Sequence, residues 1–409
     1  MEVNSIYETK ILRLNNEGEG IGIVEGITTF IPYALPNELV KVRITEINDN
    51  YLRGTIQEIL EPSKDKVEAI CPKFYECGGC NLMHLNYEKQ LEFKKEKIEN
   101  IFKKVSNENI KVSNIYSKEN LYYRNKVVLK VDKNKIGFYK EKTNEIIQIE
   151  ECFLVDKKIN EVIKQLKEFI NKYQDNNINE IMIRVINNKV MISLDNISLN
   201  YKDVFIDKFK ALDSIYINDN LIYGDKVLVE NIDNLKFNIS PKSFFQVNKE
   251  ISKMMYEKAI SYIDKSDTTL DLYSGTGTIT MLLSKKSKKV IGIEVVKDVV
   301  KDANNNIKEN NINNVEFICD KVENKIDTLK NINNIVMDPP RSGSDKKTLK
   351  TLLEINPERI IYISCNPVTL ARDYNTLKEK YIIKEINAYD MFPNTYHVES
   401  VMVLEKKDI

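Results

Sequence analysis

The first sixty residues alternate apolar and polar positions in short runs such as Leu39-Val40-Lys41-Val42-Arg43-Ile44, broken by Gly18, Gly20, Gly22 and Pro36. Period-two alternation between glycine and proline turns predicts a small all-β barrel over residues 1–62. From 63 to 235 the pattern is mixed α+β. A helical stretch brings Tyr87, Leu91, Ile98, Phe102 and Val105 close to one face, and two strand-like runs follow at 180–186 and 190–194. From 236 to 409, β-branched apolar runs at 269–273, 290–294, 335–338 and 360–364 alternate with helical stretches. That alternation predicts a doubly wound parallel sheet, so the fold class is α/β with three consecutive domains.

Composition changes this picture little. The 61 basic and 61 acidic residues cancel, so any nucleic-acid partner has to be held by a local patch rather than by the field of the whole molecule. One candidate patch is 83–133, where 12 Lys or Arg against 7 Asp or Glu give a net charge of +5 around Tyr122, Tyr123 and Arg124. Aromatics among cations suit base stacking and phosphate pairing, although a solvated helix face gives the same signal. No apolar run is long enough to span a membrane and the N-terminus has no charged-then-apolar leader, so a soluble cytoplasmic protein is expected. In that compartment the six cysteines stay reduced, which puts metal binding or catalysis ahead of disulfides.

The strand 269–273 runs directly into Ser274-Gly275-Thr276-Gly277-Thr278 and then an apolar helix. Glycines at a strand-to-helix turn let a ligand approach the backbone, and Glu294, 19 residues beyond Gly275, is placed to accept from ribose hydroxyls. A nicotinamide dinucleotide and S-adenosylmethionine both fit that arrangement. The third glycine of a dinucleotide site is replaced by Thr280, and Asp338-Pro339-Pro340-Arg341 ends a later strand. Ser364-Cys365-Asn366-Pro367 ends another, where open α/β sheets present side chains to ligands.

Asp338-Pro339-Pro340-Arg341, Ser364-Cys365-Asn366-Pro367 and His397-Val398-Glu399-Ser400, in that order, resemble the RNA uracil-5-methyltransferase family. Ser243-Phe244-Phe245-Gln246-Val247-Asn248 and Asp271-Leu272-Tyr273-Ser274-Gly275-Thr276-Gly277 match the same family. The stretch from Ile11 to Ser63 resembles the TRAM domain, an OB-like RNA-binding barrel. The resemblance implies a class I S-adenosylmethionine site at Gln246, Tyr273, Gly275, Gly277, Glu294 and Asp338. It also implies a nucleophile at Cys365 and a general base at Glu399, with His397 ranked second as base. Rival readings are a nucleotide-dependent oxidoreductase and a non-catalytic RNA-binding protein.

Cys71, Cys77 and Cys80, joined by Cys152, supply four thiolates, enough to enclose a metal centre. Structural zinc favours two close ligand pairs, so a triplet with one remote cysteine is less typical of it. The resemblance implies a 4Fe-4S cluster there, with zinc as the alternative and a structural or RNA-positioning role. A TRAM barrel combined with four such cysteines resembles the enzymes acting on 23S ribosomal RNA, so large-subunit ribosomal RNA is the expected partner, transfer RNA the alternative, and a monomer the expected state.

Overall fold

A computed structural model of the chain describes residues 2–407. Two compact units emerge, each assembled from separated segments. One holds the residues up to Lys97 with Phe138–Ile149 and Phe392–His397; the other holds Ile98–Gly137, Glu150–Met391 and the chain from Val398 onward.

The first unit is built on a six-stranded sheet in the order Ile6–Lys10, Leu39–Ile47, Leu52–Glu61, Ile27–Ile31, Gly20–Val24, Arg13–Leu14. Alternation along Leu39–Ile47 points Val40, Val42 and Ile44 into a core shared with Ile11, Val24, Ile31 and Leu52. Three register shifts in its ladder with Leu52–Glu61 bend the pair around that core. Gly54 permits the bend: a Cβ there would lie 2.3 Å from Cγ2 of Val42. The cysteines at 71, 77 and 80 follow in a run of turns, and the helix Tyr87–Val105 comes next.

Two sheets organise the second unit. In the smaller one Lys126–Asp132 pairs antiparallel with Glu180–Ile186, which pairs with Lys189–Leu194, followed by Ser214–Ile217 and Asn220–Gly224. Helix Lys157–Tyr173 buries Ile159, Val162, Ile163, Leu166, Phe169 and Ile170, a helical-period stripe, and is capped by Asp156, whose carboxylate accepts from the Lys158 amide at 2.8 Å.

The larger sheet runs Val315–Cys319, Ser287–Glu294, Ser266–Leu272, Asn334–Met337, Arg359–Ser364, Glu399–Lys406, Tyr381–Tyr389, Ile115–Tyr116. Its first five strands are parallel, and the apolar runs 290–293, 335–337 and 360–363 are of the kind expected in a parallel sheet covered on both faces. Leu270, Leu272, Ile335, Met337, Ile360 and Tyr362 belong to that core. Connections leave Ser266–Leu272 first toward one edge and then toward the other, so the order reverses between this strand and Asn334–Met337. A crevice at the carboxyl ends follows from that reversal. Glu399–Lys406 then enters antiparallel, between Arg359–Ser364 and Tyr381–Tyr389. Among the described residues no helix is long and apolar enough to cross a membrane.

Candidate active site

At the crevice the chain leaves Ser266–Leu272 through three left-handed residues, Tyr273 (φ 63°), Gly275 (φ 54°) and Gly277 (φ 80°), and enters the helix Thr278–Leu283. A cleft of about 520 Å³ opens there, lined by Tyr273, Gly275, Glu294 and Asp338 with Phe244 and Phe245 beside them. Its size suits a nucleoside-sized ligand. Both oxygens of Glu294 are fixed by main-chain donors, the Gly275 amide at 3.1 Å and the Val296 amide at 2.9 Å. The acceptor is therefore held in place before any ligand arrives. The two glycines differ in what they do. A Cβ on Gly275 would meet nothing within 4 Å, whereas one on Gly277 would lie 2.5 Å from the Phe317 ring. Gly277 does not line the cleft; it lets the helix pack against Phe317.

Gln246 adjoins two residues of the cleft lining, Phe245 along the chain and Tyr256 through its side chain. Its segment is held by the smaller sheet. Arg184, almost wholly buried, donates to the carbonyls of Ser240 (2.9 Å) and Ser243 (2.8 Å), and Asn125 donates its backbone amide to Val247 (2.9 Å) and its side-chain amide to the Gln246 carbonyl (3.3 Å). The Gln246 side chain hydrogen-bonds Tyr256, whose phenol burial keeps neutral. Anchoring by the smaller sheet thus sets where Phe244 and Phe245 meet the cleft.

Cys365 and Glu399, distant in sequence, are brought together by strand register. The antiparallel ladder pairs Ser364 with Ser400, so the next step outward sets Cys365 opposite Glu399. Ser400 fixes that end by donating its hydroxyl to the Ser364 carbonyl at 3.2 Å. Beyond Cys365, Asn366 accepts from the Val368 amide to cap the helix Pro367–Leu377, and its side-chain amide donates to the Arg341 carbonyl at 3.0 Å. The loop bearing Arg341 is thereby tied to the loop bearing Cys365.

Buried charge dominates the electrostatics. Burial pushes Asp338 up to about 7, and it pushes Glu399 up to about 8, helped by Asp338 and opposed by Arg341. The Cys365 thiol is driven up to about 11 by burial and then by Glu399 and Asp338, with Arg341 again opposing. Asp271, also at about 7 through burial, holds the hydroxyl of Thr280 at 2.5 Å. Arg341 is therefore the cation that favours the ionised forms of both Cys365 and Glu399. Sequence reasoning had assigned no role to Arg341, Asp271 or Tyr256. The first two sit inside motifs already quoted, while nothing in the sequence singles out Tyr256.

The cysteines expected to hold a metal divide between the two units. Cys71, Cys77 and Cys80 are half-buried in the turns of the first unit and Cys152 is half-buried in the second, its backbone bonded to Asn160, and none of the four is in a disulfide. Among the described residues no three His, Cys, Asp or Glu side chains converge to hold a metal ion. Cys77 and Cys80 do lie close enough to Tyr33 to help burial and Glu141 raise its phenol to about 12. His84 is packed against Phe74 and Tyr33, with Nε2 on the Tyr33 carbonyl at 2.9 Å and Nδ1 unpartnered. Burial holds it neutral, at about 4. His397, the second-ranked base, belongs to the first unit, where its ring packs against Tyr396.

Fold and cleft define the class: an S-adenosylmethionine-dependent methyltransferase of class I, carrying an N-terminal TRAM domain. Within that class the chain belongs to the RNA uracil-5-methyltransferases, for residues 208–407 match the tRNA (Uracil-5-)-methyltransferase family model and residues 1–56 match the TRAM domain. An uncharacterized RNA methyltransferase of Fusobacterium nucleatum is 37% identical, covering 100% of this chain and 97% of its own. Another, from Caldanaerobacter subterraneus, is 36% identical with 99% of each chain covered. The structure is similar to that of the Pyrococcus abyssi tRNA (uracil-54, C5)-methyltransferase in complex with S-adenosyl-L-homocysteine. The TM-score is 0.80 and the identity 28%, over 97% of this chain and 100% of that one.

Proposed function

We propose that Cys365 and Glu399 carry out RNA uracil methylation as nucleophile and base. The observation that supports this reading is that Cys365 and Glu399 are the next residues outward from the Ser364–Ser400 pair and that both feel the charge of Asp338, which lines the cofactor cleft. Tyr273, Gly275, Glu294 and Asp338 line the cleft that would hold S-adenosylmethionine, with Gln246 and Gly277 bordering it, and the bound cofactor would supply an electrophilic methyl group and leave as S-adenosyl-L-homocysteine. Uracil carbon 5 is a weak nucleophile until the Cys365 thiolate adds to carbon 6, forming a C–S bond and leaving an enolate whose carbon 5 takes the methyl. Glu399 then accepts the carbon-5 proton, the C–S bond breaks, its electrons return to sulfur, and the ring double bond re-forms. Glu399 passes its proton to solvent. A carboxylate raised to about 8 is a stronger base than an exposed one and suits proton removal near neutral pH. The target base has to be unstacked to reach Cys365, at a cost of roughly a few kcal/mol that is least in single-stranded loops.

Large-subunit ribosomal RNA is the proposed target, supported by the combination of TRAM barrel and cysteine motif. Transfer RNA is the second reading, favoured by the full-length likeness to an enzyme acting on uracil 54 of tRNA. We further propose a monomer working in the cytoplasm, and a 4Fe-4S cluster, or less typically zinc, on Cys71, Cys77, Cys80 and Cys152, with no part in the chemistry. Mapping 5-methyluridine in ribosomal and transfer RNA from cells lacking the protein tests the target. Loss from ribosomal RNA alone supports the first reading, and loss from transfer RNA alone supports the second.

A further inference from the structure

Residues 338–345 run without helix or strand between the strand Asn334–Met337 and the helix Lys346–Ile355, and they border both halves of the site. Asp338 and Pro340 line the cofactor cleft, and Arg341 is the cation that acts on Cys365. The ends of this loop are fixed by the elements they join. The Asp338 amide donates to the Leu272 carbonyl at 3.3 Å, and Asp345 accepts from the Thr348 amide at 2.9 Å to cap the helix. Its middle has a turn bond of its own, from the Gly343 amide to the Pro340 carbonyl at 2.8 Å. Further support comes from the start of the helix Pro367–Leu377. Asn366 and Thr369 both donate to the Arg341 carbonyl, at 3.0 and 3.3 Å. Arg372 donates to the carbonyls of Ser342 (2.9 Å) and Ser344 (3.3 Å), and Asp373 accepts from the Ser344 amide at 2.8 Å.

The Asp373 side chain is wholly buried. Besides the Ser344 amide, its carboxylate accepts from the Tyr362 hydroxyl at 2.6 Å and from Nε and Nη2 of Arg372 at 2.8 and 2.6 Å. A buried carboxylate is unfavourable unless it is paired and hydrogen-bonded, and an apolar side chain would fill the same space without that penalty. What the carboxylate adds is direction, because it ties the strand bearing Tyr362 to a loop that has no ladder of its own. Gly343 admits the contact: it is left-handed at φ 77°, and a Cβ there would lie 2.4 Å from Nη2 of Arg372 and 2.7 Å from Oδ2 of Asp373. From Ser344 the bonds continue to the cofactor side, where its hydroxyl and the Tyr273 phenol share a hydrogen bond at 3.0 Å. Tyr273 lines the cleft.

We propose that Arg372 and Asp373 are positioning residues for both halves of the reaction: they hold residues 341–344 so that Arg341 acts on Cys365 and Tyr273 is braced against S-adenosylmethionine. The inference rests on reading Cys365 as the nucleophile. The charged groups that face Cys365 are Glu399, Asp338 and Arg341. Arg372 and Asp373 are not among them, so any effect they have on the thiol passes through the loop.

The test uses the full-length protein. Alkylation of Cys365 by iodoacetamide at pH 8, without RNA, is read by mass spectrometry of the peptide that contains it, and S-adenosylmethionine affinity is read by calorimetry. Arg341→Met sets the reference, since losing the cation disfavours the thiolate. Asp373→Asn and Arg372→Met should slow alkylation in the same direction, by on the order of tenfold for a shift of about one pH unit. Loosening of the fold alone would expose the thiol and speed alkylation. Asp373→Asn and Ser344→Ala should also weaken S-adenosylmethionine binding by roughly three- to tenfold, the weight of one hydrogen bond, and Ser344→Ala should leave the alkylation rate unchanged. Alkylation no slower than in the parent protein, in Arg341→Met or in the two helix variants, overturns the proposal, and so does unchanged cofactor affinity in Asp373→Asn. Methylation that survives in Cys365→Ala is a separate outcome, which overturns the nucleophile reading and the proposal with it. Should thermal melting show Asp373→Asn unfolded, Arg372→Met, whose side chain is half exposed, decides by alkylation and Ser344→Ala by cofactor affinity.

Discussion

Cys365 and the cysteines at 71, 77 and 80 are the same side chain set in two kinds of frame. Cys365 stands at the end of a buried strand whose neighbours fix its surroundings: Ser400 bonds the Ser364 carbonyl, and Asn366 reaches the Arg341 carbonyl. The other three stand in turns, and no set of ligands converges there among the described residues. Strand ends aim side chains by backbone pairing alone. Turns do not, and metal sites of that kind gain their geometry through coupling of binding to folding. A motif on a strand therefore defines a site more completely than a motif in a loop.

The largest expected effect is at the strand end. Cys365→Ala should lower methylation by on the order of 10⁴-fold or more, because no other group activates the ring. Melting temperature should barely change, and RNA and S-adenosylmethionine should still bind. Residual turnover within about tenfold of the parent protein would move the nucleophile elsewhere.

Next in size is Gly277→Ala. Its Cβ would press on Phe317 from a left-handed backbone, so stability should drop by roughly 1–3 kcal/mol. S-adenosylmethionine binding should weaken with it, as read by denaturant melts and calorimetry. Gly275→Ala, with open space around it, should damage cofactor binding more than stability. The opposite ranking would contradict the separate roles given to the two glycines.

On the turn side, Cys71→Ser should remove bound iron from anaerobically purified protein while leaving S-adenosylmethionine binding intact. Stoichiometric zinc without visible absorption in the parent protein would contradict the iron–sulfur proposal. Deleting residues 1–62 should weaken RNA binding by roughly tenfold at moderate salt and reduce its salt dependence. Unchanged RNA affinity would take the barrel out of RNA recognition.

The smallest effect is on pH dependence. Asp271, Asp338 and Glu399 all have folded pKa values above those of exposed carboxyls, at about 7, 7 and 8. The folded protein keeps protons that the unfolded chain releases, so their contribution to stability is fully present below about pH 4 and is lost as pH rises through 7 to 8. Melting temperature should fall across that range, and less so in Glu399→Gln. Turnover should move the other way, rising through pH 8 as Glu399 ionises and beyond it as Cys365 does. A melting temperature flat from pH 5 to 9 would contradict the buried carboxylate cluster.

Much of the candidate site was legible because its residues punctuate strand ends. Tyr273, Glu294, Asp338 and Cys365 each follow or finish an apolar run. The doubly wound sheet and the N-terminal strands were legible for the same reason. Other features depend on tertiary structure. That Cys365 faces Glu399 comes from an antiparallel strand placed between two others, and register across 34 residues has no local signal. Asp271 and Tyr256 acquire their character only through burial. The supporting roles of Gly277 and Gln246 depend on Phe317 and on Arg184 and Asn125, which no motif connects to them. Segment Phe392–His397 joins the N-terminal unit through bonds from residues some 300 positions earlier.

The central claim is that Cys365 and Glu399 act at separate steps of one covalent path, and a single denaturing gel tests it. Glu399→Gln and Cys365→Ala are each incubated with RNA lacking the modification and S-adenosylmethionine labelled in its methyl group. The account predicts label in a protein–RNA band with Glu399→Gln, where methyl transfer is complete but elimination stalls, and no band with Cys365→Ala. Normal turnover without a trapped band in Glu399→Gln would contradict it and pass the role of base to another group, with His397 the next to test.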